Sequence, residues 1–191
     1  MVTNRDKKVL VLKEKNLFKE DVKRKGSRLA TGLRAHDHRT FKKRLERVEN
    51  LKKVMPDAAY LMSFESHCVF TEAKNTFING EFVASILLAN AFIEHWLQVH
   101  LESKGFEVES KKGLKQILGF IKKNKMLHEY LVEKINNLRL LRNPFAHLKP
   151  ANYLHGILNK VSSQQQFPDE VLEKEALKAI ELMYQIAITR F

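Results

Sequence analysis

The stretch EFVASILLANAFIEHWLQVHLESK, residues 81–104, decides the fold of this chain of 191 residues. Its apolar side chains recur on nearly every side of the helix that their spacing predicts, from Phe82 through Trp96 to Leu101. A helix that is apolar all round has no face for solvent and must be surrounded by other parts of the protein. The stretch therefore predicts the central, most buried helix of a bundle, with Gly105 at its end.

Helical spacing of apolar residues continues on both sides of this stretch. The helices that we expect around it lie at residues 39–54, at 57–79, near 114–121, from about 127 to Arg142, and at 169–189. We expect a stop at Asn79-Gly80, because this dipeptide readily adopts the left-handed conformation that ends helices, and a polar loop at 162–166. No strand is predicted after residue 40. The fold class is all-α, an up-down helical bundle of about five or six helices.

Positive charge is concentrated at the beginning of the chain. Residues 1–53 hold 18 Lys/Arg and 7 Asp/Glu, a balance of +11, whereas residues 54–191 hold 16 and 15, a balance of +1. We interpret residues 1–37 as a basic arm, extended or partly ordered, with a short strand at Val9–Leu12. Residues 38–191 would form the helical domain.

The arm suggests a polyanionic partner. A dense positive segment attracts nucleic acid by releasing its counterions. The charge run at residues 23–28 supplies the candidate RNA-binding residues Lys23, Arg24, Lys25 and Arg28. Solubility, or docking on an acidic protein, explains the same charge, so these alternatives stay open.

Composition limits the cellular compartment and the kinds of functional site that the chain can have. Cys68 is the single cysteine, so the chain cannot form an internal disulfide, which favours a reducing compartment. The first residues lack the apolar core of a signal peptide, and the apolar run Val83–Ile93 is too short to cross a bilayer. No Cys/His set completes a metal site, and no glycine-rich phosphate loop is present. We expect a cytoplasmic protein that uses no membrane, metal or cofactor.

The densest chemistry lies in Arg142-Asn143-Pro144-Phe145-Ala146-His147. Proline disfavours the helical conformation at the residue before it and suits the first position of a helix, so we expect one helix to end near Arg142 and another to start at Pro144. This break would bring Arg142 and His147 together at a helix N-terminus, which favours anions. Arginine matches phosphate oxygens, and histidine exchanges a proton near neutral pH.

Two further residues are candidates for support of this site. Glu94 lies in the middle of the apolar stretch, where a carboxylate needs a partner, and it is a candidate to orient Arg142 or His147. Lys149 would add positive charge. A purely structural interpretation also fits the spacing, with Arg142 and His147 as ordinary surface residues and Glu94 paired to some other base.

The six-residue motif resembles the Arg-x(4–6)-His motif of the HEPN superfamily, in which Asn often follows the arginine, as Asn143 does here. The resemblance covers about residues 57–191 in architecture. It implies a helical bundle that forms a homodimer with two motifs at a shared cleft. It also implies a metal-independent endoribonuclease of toxin–antitoxin, phage-defence or RNA-processing systems, although other members only bind nucleotides, RNA or proteins.

The resemblance assigns roles to individual residues. His147 would be the general acid or base, Arg142 the phosphate and transition-state binder, and Asn143 the orienting or phosphate-contacting group. RNA is the implied substrate, and an antitoxin or regulatory protein is a further implied partner. In one toxin subtype a tyrosine stands two residues after the histidine and is modified by the partner. Lys149 occupies that position here, and Tyr153 is too far along to replace it, so the chain departs from that subtype.

Overall fold

The structure is a computed structural model that describes residues 4–58, 62–150 and 152–189, with side chains from Arg28 onward. The described residues form eight α-helices and no β-strand: α1 (Asn4–Val54), α2 (Phe64–Asn79), α3 (Phe82–Ser103), α4 (Glu107–Ser110), α5 (Leu114–Lys123), α6 (Glu129–Ala146), α7 (Ile157–Gln164) and α8 (Pro168–Ile188). The all-α class is confirmed. The number of helices exceeds the expected five or six because α4 and α7 are short and bury few side chains, so apolar spacing does not reveal them. Most of the polar loop expected at 162–166 is the end of α7.

The chain divides into two compact units, residues 1–43 and residues 44–191. In the first unit the described backbone is helical rather than extended, and Val9–Leu12 lies inside α1 instead of forming a strand. The physical reason is composition, since Lys, Arg, Glu and Leu all favour helices and a single glycine such as Gly26 costs only about 1 kcal/mol there. The functional division into a basic arm and a helical domain stays a prediction.

Helix α3 is the centre of the second unit, as its sequence predicts. It contacts α2, α4, α5, α6 and α8. Its buried residues are Phe82, Ser85, Ile86, Ala89, Asn90, Phe92, Ile93, Trp96, Leu97 and Leu101. By length and composition alone α3 would also be able to span a membrane, but the core helix of a globular protein passes the same test. The surrounding helices therefore take their positions from α3.

Helix α2 begins at Phe64, so the start expected near Asp57 is wrong. Ser63 precedes the helix with extended backbone, and its hydroxyl accepts a hydrogen bond from the backbone N–H of Ser66 at 3.2 Å. Serine is a strong N-cap, and this bond defines the first turn. The end of α2 is as expected, because Gly80 adopts the left-handed conformation with φ 87°.

The turn between α2 and α3 is closed by a buried arginine. Arg47 is 8% exposed; its Nε donates to Glu173 Oε1 at 3.0 Å, and its Nη1 donates to the carbonyl oxygen of Ile78 at 3.2 Å. The guanidinium also lies 4.9 Å from the ring centroid of Phe82. A methyl group added to Gly80 would stand 2.8 Å from Arg47 Nη1. The start of α3 therefore depends on a glycine at this turn.

A second buried charge joins α7 to α8. The side chain of Glu175 is 8% exposed and binds Lys160 Nζ at 2.7 Å and Lys178 Nζ at 2.9 Å. Burial pushes the pKa of Glu175 up, but the hydrogen bonds and charges of the two lysines outweigh it, so the pKa lies below its ordinary value. The ionised carboxylate thus stabilises the folded state.

We expect Gly80→Ala to destabilise the protein, by about 1–2 kcal/mol for the left-handed backbone alone, with a further loss from the displaced Arg47. Gly119→Ala is the matched control, because Gly119 lies within α5 and no atom approaches its added methyl group within 4 Å. The control should be stabilised by about 0.5–1 kcal/mol. Urea unfolding measures both, and equal effects would contradict the role of the turn.

Acid should weaken the fold partly through Glu175. Because its folded pKa lies below its unfolded value near 4.5, its contribution is complete above that pH and is lost as the pH falls through the folded pKa. We expect Glu175→Gln to be less stable at neutral pH and to lose less stability than the wild type below about pH 4.5. Urea titrations at several pH values measure this, and parallel pH profiles would refute it.

Candidate active site at the end of helix α6

Helix α6 runs through the Arg142–His147 motif without a break. It extends from Glu129 to Ala146 and contains Pro144, so the helix restart expected at Pro144 is wrong. Proline has no N–H to offer the carbonyl of Leu140, four residues earlier. The hydroxyl of Tyr153 donates to that carbonyl instead, at 3.4 Å. The loss of one intrahelical bond near the helix end is therefore compensated from outside.

His147 is the residue at which the chain leaves the helix. It is the C-cap of α6, with extended backbone at φ −142° and ψ 141°, and its backbone N–H donates to the carbonyl of Asn143 at 2.8 Å. The change of direction returns its imidazole toward the preceding turn. Arg142 Nη1 lies 3.5 Å from His147 Nε2. The two side chains thus come together, but through a helix end and not through a helix start.

This position changes the electrostatic argument. The C-terminal end of a helix carries partial negative charge and favours cations, so the backbone of α6 does not attract an anion here. Attraction for phosphate must come from side chains. Arginine can only donate, so a hydrogen bond across this distance requires His147 Nε2 as the acceptor.

Arg142 is partly enclosed by the domain and partly exposed to solvent. Its residue is half-buried, and its buried Nε has no hydrogen-bond partner among the described residues. Phe145, three residues on, packs against the core, while His147 is exposed. The motif therefore presents one half-buried guanidinium and one accessible imidazole.

A cavity of about 450 Å³ lies next to the motif, between α3, α5 and α6. Arg142 and Asn143 line it. The remaining lining residues are Glu94, Gly113, Leu114, Lys115, Gln116 and Arg139. It connects the sequence-predicted motif with basic residues that the sequence analysis did not single out.

Glu94 lies in this cavity but has a different partner from the one expected. Its Oε1 accepts a hydrogen bond from the backbone N–H of Leu114 at 3.0 Å, which caps the start of α5. Its side chain shares the cavity wall with Arg142, and its role in orienting Arg142 or His147 stays a prediction. The partner that the carboxylate of Glu94 needs in α3 is therefore a backbone amide.

Arg139 and Lys115 are the residues that sequence reasoning missed. Arg139 precedes Arg142 by three positions, and residues at that spacing share a helix face. This spacing is visible in the sequence, because the helix expected from about 127 to Arg142 contains both arginines. Lys115 reaches the cavity only because α5 packs beside α6, so its contribution had no sequence signal.

Of the other predicted residues, Lys149 and Arg28 have described side chains. Lys149 is exposed, beyond the end of α6, with its Nζ 6.0 Å from the ring centroid of Tyr153. Arg28 is exposed in the first unit. The side chains of Lys23, Arg24 and Lys25 lie outside the described residues. Within the part of the chain that is described, no three His, Cys, Asp or Glu side chains are grouped as a metal site.

Comparison with known proteins identifies the fold family. The family model of the HEPN domain matches residues 69–188, which include most of α2, all of α3 to α8 and the whole motif. Neither the comparison with curated proteins nor that with solved structures gives a match. The family match spans well over half of the 191 residues and contains the central helix, the cavity and the paired Arg142 and His147. The chain therefore belongs to the HEPN domain family.

Proposed function

We propose that this protein is a metal-independent endoribonuclease. The observation that carries the proposal is the approach of Arg142 Nη1 to His147 Nε2, at 3.5 Å, on the exposed end of α6. A guanidinium beside an imidazole can bind a phosphate and move a proton at the same place. Membership of the HEPN family supports a nuclease or a nucleotide-binding module.

The proposed reaction uses the nucleophile that RNA itself carries. The 2′-hydroxyl loses its proton to an imidazole, its oxygen bonds to phosphorus, and the bond from phosphorus to the 5′-oxygen breaks. The leaving oxygen takes a proton from a general acid. The products are a 2′,3′-cyclic phosphate and a 5′-hydroxyl. No water enters this step, and no metal is required for its balance.

Each side chain of the motif has one task in this reaction. Arg142 stabilises the negative charge that grows on the phosphorane oxygens. When phosphate oxygens bind the guanidinium, His147 Nε2 is released from Arg142 and accepts the hydroxyl proton. Asn143, on the same turn and lining the cavity, donates its amide hydrogens to the phosphate.

One motif supplies one imidazole, whereas the reaction uses a base and an acid. We therefore propose a homodimer in which two His147 residues meet at one cleft. Exposed apolar side chains in the segment that links α6 to α8 support this assembly: Leu148 is fully exposed, Leu154 is 76% exposed and Phe167 is 76% exposed. Large apolar side chains that solvent reaches so fully are candidates for contact with a partner.

RNA is the proposed substrate, and the basic N-terminal segment is its proposed tether. Residues 1–53 carry a balance of +11, and Arg28 and Lys149 are exposed. An antitoxin or regulatory protein that covers the same basic surfaces is a further proposed partner, in a toxin–antitoxin, phage-defence or RNA-processing role.

The second candidate is a non-catalytic HEPN module that binds RNA, a nucleotide or a protein. One observation favours this candidate: a single chain has one Arg142–His147 pair. A monomer would therefore hold phosphate with Arg142 but would lack the second proton-transfer group. The two candidates differ in whether bound RNA is cut.

We expect purified protein to cut single-stranded RNA in the presence of excess chelator. His147→Ala should lower the rate by about 100-fold or more, and Arg142→Ala by a similar factor. The matched control is His67→Ala, because His67 is an exposed histidine on α2. Gel analysis of the termini should show the cyclic phosphate. RNA binding without any cleavage would favour the non-catalytic module, and cleavage that ends on chelation would contradict the proposal.

We expect the double variant Leu148→Asp, Leu154→Asp to be monomeric and inactive, since buried carboxylates would oppose association. Light scattering after size-exclusion chromatography gives the mass, and the cleavage assay gives the activity. Val108→Asp, on the 69% exposed Val108 of α4, is the control and should stay dimeric. A wild-type monomer that cuts RNA would overturn the shared cleft.

A further inference from the structure

The cavity between α3, α5 and α6 holds more positive charge than the motif alone requires. Three of its lining residues are cationic, Lys115, Arg139 and Arg142, and one is anionic, Glu94, so the lining carries a balance of +2. Clefts lined by one sign of charge concentrate ligands of the opposite sign.

These cations are not neutralised within the described part of the protein. No described carboxylate lies within the 4.0 Å ion-pair distance of Lys115, Arg139 or Arg142. Glu94 has one oxygen committed to the backbone N–H of Leu114. The positive charge therefore remains available to a ligand.

Arg139 is held in place without losing its charge. Its Nε and Nη2 donate to the Oδ1 of Asn136 at 3.1 and 2.8 Å, and the residue is half-buried. An amide oxygen orients a guanidinium but does not cancel its charge. The two hydrogens on Nη1 remain for an acceptor.

A second cavity bordered by α6, of about 440 Å³, offers a contrast. Lys160 and Lys178 line it, but Glu175 binds both of them. Its third lysine, Lys134, keeps its charge because its partner is the neutral hydroxyl of Tyr130, but Glu181 also lines the cavity, so three lysines and two glutamates leave a balance of +1. Charge that is already paired attracts a further anion weakly, so the first cavity is the stronger anion site.

We propose that Lys115 and Arg139 bind a second phosphate of the RNA strand, next to the one held by Arg142 and His147. This inference rests on the proposed function, because it takes the motif as the place of cleavage. Arg142 belongs to both the motif pair and the cavity. Side chains three positions apart on a helix have Cβ atoms about 5–6 Å apart, so Arg139 and Arg142 can contact successive phosphates of one chain. The cavity would fix the register of the strand and present the neighbouring phosphodiester to His147.

The test measures binding without cleavage. The probe is a ten-nucleotide single strand with 2′-O-methyl groups at every position, which removes the nucleophile. The full-length wild type and the variants Lys115→Ala and Arg139→Ala are titrated at several salt concentrations. The matched control is Lys123→Ala, because Lys123 is an exposed lysine on the same helix and does not line the cavity.

A lost phosphate contact on a single strand lowers the salt slope of log affinity by about 0.7. An increase in salt from 50 to 200 mM should therefore weaken binding of the strand less in the cavity variants, Lys115→Ala and Arg139→Ala, than in the wild type. The difference should be about 2.6-fold for each variant. Lys123→Ala should keep the wild-type slope. Arg139→Lys restores a charge and should recover the slope, which separates a lost contact from a misfolded variant.

Two results would overturn the inference. One is an equal slope for Lys115→Ala, Arg139→Ala and Lys123→Ala. Three equal slopes below the wild-type value would mean a general charge effect, and three slopes at the wild-type value would mean that the cavity contacts no phosphate. The other comes from a parallel titration with uridine 5′-monophosphate: loss of its binding in the cavity variants, with an unchanged slope for the strand, would assign the cavity to a free nucleotide. Because the probe cannot be cut, failure of the nuclease proposal appears separately, as intact unmodified RNA with the wild-type protein.

Discussion

The enclosure of α3 by neighbouring helices is the constraint on which the domain depends. A helix with apolar residues around its whole circumference is stable in water only when other helices enclose it. Five helices contact α3, and ten of its 22 residues are buried, among them Ile86, Ile93 and Leu101, whereas Ala91 and Val99 are exposed. This enclosure places α5 and α6 side by side, and the cavity with its three cations lies where they meet α3. The packing of helices around α3 therefore decides where the cavity lies.

The end of α6 shows how a local rule is overridden by a distant hydrogen bond. Proline normally interrupts a helix because it removes a donor and crowds the preceding turn. Here Pro144 lies in the last turn, and the hydroxyl of Tyr153 occupies the carbonyl of Leu140 that proline leaves without a donor. The helix therefore continues to Ala146, and His147 is turned back toward Arg142 by its own extended backbone. Tyr153 thus acts on the motif through the backbone.

Attraction for an anion at this site has a different origin from the one that helix geometry first suggested. The carbonyl end of α6 carries partial negative charge and does not attract a phosphate, so the attraction must come from side chains such as Arg142 and Arg139. These side chains and Lys115 then provide the positive charge that faces the cavity. The basic segment of residues 1–53 would act at longer range, by raising the local concentration of a polyanion. Under the proposed function, the basic segment would capture RNA and the cavity would position it, so the two tasks belong to separate parts of the chain.

By itself the sequence determined the all-α class, the central place of α3 and the end of α2 at Gly80. These follow from apolar spacing and from the left-handed preference of glycine, both of which are local properties. The sequence also singled out Arg142 and His147, but it expected them to meet through a helix break at Pro144 that the structure does not have. Only the tertiary structure decided that α6 passes through Pro144, that Glu94 caps α5, and that Lys115 and Arg139 join Arg142 in one cavity. Each of these depends on partners far apart in sequence, because a missing donor, a buried carboxylate or an isolated charge is satisfied by whatever packing brings next to it.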